Sequence, residues 1–409
     1  MRKSLLASAA LSLAFTALAM PAMAEEVTEW RLFVSDHSDP KVTVVDALEG
    51  ATIETIQIKA PASLYRSKGG EAVFAVQRNG NIVNTISSGI AFEDHGDHGD
   101  IKVAPPKITG AEIAGEYPVH FVEHDGQLAV FFDKEGVARV FSERDALKGS
   151  VDLRAVEADA PHHWVAVAFG DHDLVSVPHP EDPSKLPVGI GTLDREGNEV
   201  GATAACPDLH GEAASGNLLV FACATGLLVV TEGDGGPQIR HVAYPQALPD
   251  GKSTTVVGGI GIQYFLGNYG ADKVVIIDPT GDGDFRLVDL PMRRVHFAVD
   301  PVRPKFAYVF TEDGQLHQLD ILTGAISATL SVTEAYSMDG HWSDPRPRVA
   351  VAGGSIVVTD PLAGKLHLIG AVDFKKVGEI AVGGQPYNIV AVGGTGMSHG
   401  DTAGHKHDH

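Results

Sequence analysis

Four histidines in this chain each precede an aromatic residue: His120-Phe121, His163-Trp164, His296-Phe297 and His341-Trp342. They are spaced 43, 133 and 45 residues apart, and the middle step is about three repeats of 44, the length of a four-stranded propeller blade. His210 lies 47 residues after His163 and 86 before His296, so it fills the next slot, with Gly211 in place of the aromatic; a slot near residue 253 holds no histidine. Neutral imidazoles and carboxylates about 2 Å from one ion make a tetrahedral zinc site. The trio His120, His163 and His210, on consecutive repeats, is the expected rigid site for Zn2+, because it needs no reach across the ring. His296 and His341 are expected on the far side, with Glu123, His124, His162 and Glu212 as reserve donors.

A second donor group is compact. Within Glu93 to Asp100, the residues His95, Asp97, His98 and Asp100 supply four donors in six positions separated by glycine, and nothing in that pattern serves packing. A mobile His/Asp-rich loop over 93–100 is expected, holding zinc weakly because ordering it costs entropy. His405, His407 and His409 form a flexible tail over 397–409 with similar chemistry and lower weight. Other chemistries find no support. Gly258-Gly259 and Gly353-Gly354 open no helix and precede no P-loop lysine, and there is no Gly-x-Ser-x-Gly elbow.

Donors so far apart in sequence need a fold that brings them together. Short β-branched runs punctuated by Gly, Asp and Asn recur without helical periodicity, so the fold class is all-β. From Pro118 the grammar is clear: an inner strand Val119–His124, a turn at Asp125-Gly126, strands Leu128–Phe132 and Val137–Phe141, and an outer strand near Val151–Val156. Copies start near Ser63, Pro161, Asp208, Gly258, Val295 and Gly340, which makes seven. The ends supply an eighth: Pro386–Val392 reads as an inner strand lacking partners, and Trp30–Ser35, Lys41–Val45 and Thr52–Ile58 as three strands lacking an inner one. Pairing them closes a β-propeller of eight four-stranded blades without exposed edges; seven blades is the alternative. In such a ring the blade-start histidines converge on the central channel. The competing reading makes each histidine a hydrogen-bonding fixture between blades and the aromatic behind it inter-blade core.

Residues 1–24 carry the pattern of a secretory signal: Arg2 and Lys3, an apolar run from Leu5 to Met20, then Ala22-Met23-Ala24. The expected mature protein is one propeller domain over 25–396 in the periplasm, with no membrane insertion. The formal charge is −22, which disfavours nucleic acid and anionic membranes as partners and favours cations. Cys206 and Cys223, the two cysteines, flank a strand–turn–strand run and are expected to pair as a disulfide in an oxidising compartment. Zinc ligation is the alternative, but it lacks the paired CxxC spacing.

The secretory signal, eight β-repeats, blade-start histidines and the loop His95-Gly96-Asp97-His98-Gly99-Asp100 together resemble the periplasmic zinc metallochaperone family of AztD, over the whole mature chain. The resemblance implies a propeller that binds zinc and passes it directly to AztC, the zinc-binding solute-binding protein of a zinc ABC importer, and that is no enzyme. Two alternatives stay open on the residues alone: a metal-dependent propeller hydrolase or oxidoreductase, and a metal-free protein-interaction propeller.

Overall fold

The computed structural model describes residues 25–94, 99–163, 165–259, 261–281 and 283–398. The signal segment, His95 to His98, Trp164 and the tail from His399 lie outside them. Eight four-stranded antiparallel blades form the ring. Blade 2 follows the expected grammar, with strands Pro118–His124, Gln127–Phe132, Val137–Ser142 and Arg154–Glu157. The inner strands of blades 1 and 3 to 7 are Ser63–Arg66, Ala166–Phe169, Glu212–Ser215, Val256–Val257, Arg294–Val299 and Val349–Ala352. A one-turn helix, Glu143–Leu147, interrupts the all-β pattern, its first turn capped by Ser142, whose Oγ accepts from the Asp145 N–H at 3.1 Å.

The eighth blade closes from both termini. Its inner strand Pro386–Ser398 pairs antiparallel with Glu25–Asp36, in a register running from Glu25 opposite Ser398 to Asp36 opposite Pro386. Lys41–Asp46 and Thr52–Gln57 complete it. The strand continues through Ser398, beyond the expected boundary at 396. Eight blades, and not seven, close the ring.

Blades hold together through apolar side chains that alternate to their two faces. Phe74 of blade 1 meets Phe121 of blade 2 at 4.7 Å between ring centroids, and Tyr65 stacks on Phe121 at 5.1 Å. Leu128, Val130, Phe132 and Phe141 fill the same seam. Each such fully buried ring contributes roughly 1.5–3 kcal/mol. Phe121 and Phe297 therefore behave as the aromatic behind the histidine should, whereas Trp342 is 68% exposed.

Two expectations are corrected. The inner strand of blade 7 begins at Val349, so His341 sits in the connection before it rather than at a blade start. The segment 93–100 is not loop throughout, because Ile90–Asp94 and Gly99–Val103 form a hairpin inserted between the third and fourth strands of blade 1, with Glu93 opposite Asp100. That hairpin lies against the closing blade, Asp100 beside Met397.

Candidate metal centre

His120, His163 and His210 arrive at one end of the channel by two different routes. His120 lies in the inner strand of blade 2, where the register shifts between Pro118 and Phe121; such a bulge re-aims side chains. His163 and His210 stand in the connections just ahead of the inner strands of blades 3 and 4, three and two residues before Ala166 and Glu212. The rings of His120 and His163 are 4.6 Å apart between centroids, and those of His163 and His210 5.6 Å.

Each ring is held by its Nδ1. His120 Nδ1 meets Glu212 Oε1 at 3.2 Å, His163 Nδ1 meets Asp133 Oδ2 at 2.8 Å, and His210 Nδ1 meets the Thr254 carbonyl at 2.7 Å. A carboxylate or carbonyl only accepts, so all three Nδ1 atoms carry protons and donate. This leaves Nε2 as the nitrogen on each ring that could bind a metal, the arrangement that outer carboxylates and carbonyls impose on metal-binding histidines.

His120 Nε2 and His163 Nε2 lie 3.1 Å apart. Two lone pairs do not approach so closely, so one nitrogen carries a proton. Burial pulls the His120 pKa down, but the Glu212 charge and hydrogen bond, aided by Asp133, outweigh burial and hold it above 6.5. Glu212 responds in kind: burial pushes it up, and the His120 charge and hydrogen bond bring it below 4.5. His210 stays neutral, lowered first by burial and further by His163 and His120. The centre therefore holds a proton where a cation could sit. Two nitrogens about 2.0 Å from one zinc at the tetrahedral angle are roughly 3.3 Å apart, close to the observed spacing. Among the described residues no set of three or more His, Cys, Asp or Glu donors already stands in metal-ligating geometry. The His163 side chain is 41% exposed while those of His120, Glu212 and Asp133 are largely buried, so the centre opens on the His163 side.

The other expected donors lie elsewhere. Half-buried His296 accepts the Val349 N–H on Nδ1 at 3.0 Å, tying blade 6 to blade 7, and desolvation with Arg348 and Arg294 holds it well below the ordinary histidine range. His341 is exposed and pairs with Ser343 Oγ at 2.7 Å. His124 stacks on Phe169 at 4.4 Å at the other end of its strand, its Nδ1 3.5 Å from Asp125 Oδ2. It lines a cavity of about 180 Å³ with Arg66, Lys68 and Glu123. Glu123 there accepts the Lys68 N–H at 2.5 Å and is pushed up to about 7, chiefly by burial. His162 is directed at the Ala160 carbonyl at 2.9 Å and pushed down to about 3 by burial and by His163. Asp100 is in the hairpin, and His95, Asp97 and His98 lie outside the described residues.

Sequence reasoning passed over Asp133 and Thr254. Asp133 follows the second strand of blade 2 at a turn, and its position across from His163 depends on how two blades meet. Thr254 occupies the slot without a histidine and serves through its backbone. Cys206 and Cys223 form a disulfide, Cα atoms 4.9 Å apart, joining the end of blade 3 to the second strand of blade 4. The segment between them carries His210, whose N–H donates to the Ala222 carbonyl at 3.0 Å.

The chain is 51% identical over 410 residues to the zinc chaperone AztD of Citrobacter koseri, covering 100% of this chain and 97% of that protein. The chain belongs to the AztD zinc-chaperone family. Crystal structures of Citrobacter koseri AztD agree: one superposes with a TM-score of 0.90 at 52% identity, covering 91% of this chain and 100% of that one. A structure of apo AztD gives 0.87 at 51%, covering 90% and 99%. The dihydro-heme d1 dehydrogenase NirN, at a TM-score of 0.58 and 15% identity over 88% of this chain and 74% of that one, shares the fold alone. No family model matches the chain. AztD membership places the protein among zinc chaperones and not among enzymes. Among the described residues no helix is long and apolar enough to cross a membrane.

Proposed function

We propose that this protein is a periplasmic zinc metallochaperone that holds one Zn2+ at His120, His163 and His210 and passes it directly to the zinc-binding solute-binding protein of an ABC importer. The approach of the three rings, 4.6 Å between His120 and His163 and 5.6 Å between His163 and His210, each ring oriented through its Nδ1, carries the reading. Zinc entering between His120 and His163 displaces the shared proton, and Glu212 and Asp133 balance the added charge from behind the rings. Three protein nitrogens leave a fourth tetrahedral position for water or for a ligand of the receiving protein. Exchange one ligand at a time then avoids a free ion, and the exposed His163 is the ring best placed to let go first.

The hairpin segment adds a collecting role. His95, Asp97, His98 and Asp100 capture zinc weakly and deliver it to the rigid centre, and the acidic surface raises local cation concentration. The secretory pattern of residues 1–24 and the disulfide both suit an extracytoplasmic compartment.

The test uses mature, tag-free protein. It is loaded with zinc, freed of excess and mixed with an apo zinc-binding receptor protein in the presence of a competing chelator. Transfer that outpaces capture by the chelator is expected. Zinc appearing first on the chelator would rule out direct transfer. Replacing His95 and His98 by alanine should remove a weak, fast-exchanging ion and leave the tight one.

A further inference from the structure

The rim around the His163 opening carries an aromatic and cationic cluster that the zinc chemistry does not use. In an antiparallel blade the first strand starts at the rim where the second strand ends. Tyr117, just before the inner strand of blade 2, Arg78 and Lys134, just after the second strands of blades 1 and 2, and Trp342, ahead of blade 7, therefore all lie on the rim that bears His120, His163 and His210. The Arg78 guanidinium carbon is 5.2 Å from the Tyr117 ring centroid and 5.1 Å from that of Trp342. Lys134 Nζ lies 4.9 Å from the Tyr117 centroid. These are cation–π distances. Trp342 keeps 68% of its surface exposed.

Two features set the cluster apart. Neither Arg78 nor Lys134 has a carboxylate partner among the described residues, in a chain of net charge −22. Tyr117 is held at φ +62°, a left-handed backbone that bulky residues rarely adopt. Its N–H donates to Asn81 Oδ1 at 3.0 Å and its carbonyl accepts the Asp133 N–H at 3.1 Å. Asp133 is the carboxylate on His163, so the cluster is continuous with the centre through one peptide.

We propose that Trp342, Arg78, Tyr117 and Lys134 form the docking surface for the zinc-receiving protein, which presents a carboxylate-bearing segment to it. Tryptophan, tyrosine and arginine are the residues that dominate binding hot spots, and the two unpaired cations select an acidic partner against the acidic surround. Docking there sets the partner beside the open face of His163. The inference rests on the zinc-transfer reading and deepens it.

The experiment separates the two. Wild type, the double variant Arg78→Glu/Lys134→Glu, and Trp342→Ala are each titrated with zinc alone, then assayed for transfer to an apo zinc-binding receptor protein under chelator competition, at low and high salt. Unchanged zinc loading is expected in all three. Transfer by the double variant should slow about tenfold or more at low salt, with the gap narrowing in high salt. Transfer by Trp342→Ala should slow at both. Zinc-loaded variants that transfer at the wild-type rate at both salts overturn the docking proposal and leave the chaperone reading intact. A wild type that loads no zinc overturns both.

Discussion

The Nε2 atoms of His120 and His163 face each other at 3.1 Å, and each ring is fixed from behind, by Glu212 and Asp133 respectively. Neither ring can turn away without breaking a charge-assisted hydrogen bond, so the pair is preorganised around a proton that a metal ion can replace.

That shared proton gives opposite pH dependences with and without metal. Because His120 is held above 6.5, the charged His120–Glu212 pair stabilises the metal-free protein fully below pH 6.5 and less as pH rises through the raised value. Glu212, held below 4.5, contributes above pH 4.5 and loses its share as pH falls through its lowered value. Zinc must displace the proton, so its affinity climbs as pH rises through the His120 range. Thermal scans of metal-free wild type and Glu212→Gln should differ most near pH 6 and converge toward pH 9, while zinc titrations tighten over the same interval. A zinc affinity indifferent to pH between 5.5 and 8 contradicts the assignment.

The recurring histidines separate into two classes on mutation. His163→Ala leaves the largely buried Asp133 carboxylate without its hydrogen bond, which costs about 1–3 kcal/mol, and should abolish tight zinc binding. His296→Ala orphans the buried Val349 N–H, which costs about 1–3 kcal/mol, yet leaves zinc stoichiometry unchanged. Calorimetric titration and thermal denaturation of both variants read the two effects side by side.

Breaking the disulfide should be felt at the metal centre as well as in stability. Cys206→Ser/Cys223→Ser loses roughly 3 kcal/mol of denatured-state constraint on the chain-entropy model and frees the segment that carries His210. A lower Tm together with zinc binding weakened about tenfold, on the scale seen when supporting contacts of a metal site are lost, is the expected pair of results. A lower Tm with unaltered zinc affinity shows that the strand register alone positions His210.

Ring closure depends on the terminal strands. Ending the chain after Gln385 removes the strand that pairs with Glu25–Asp36 and exposes the edge of the closing blade, together with buried Leu32, Phe33 and Val34. Such a variant should lose its cooperative unfolding transition, as followed by circular dichroism, and aggregate through the open edge.

The repeat spacing pointed to a ring of eight blades closed by both termini, with seven as the alternative, and grouped His120, His163 and His210 on consecutive blades; the strand–turn–strand run between Cys206 and Cys223 pointed to their pairing. Periodicity carries this information because each blade is a local unit whose strands and turns follow from nearby residues. What only the tertiary structure decided is which groups complete the centre. Asp133, Glu212 and the Thr254 carbonyl meet the three rings across blade boundaries, where position depends on the bulge at His120 and on how one blade packs on the next. The same packing drew His296 into a backbone contact with Val349 and left His341 and Trp342 in an exposed connection, although all share one sequence motif: a histidine's chemistry is set by what the ring of blades places against each of its nitrogens.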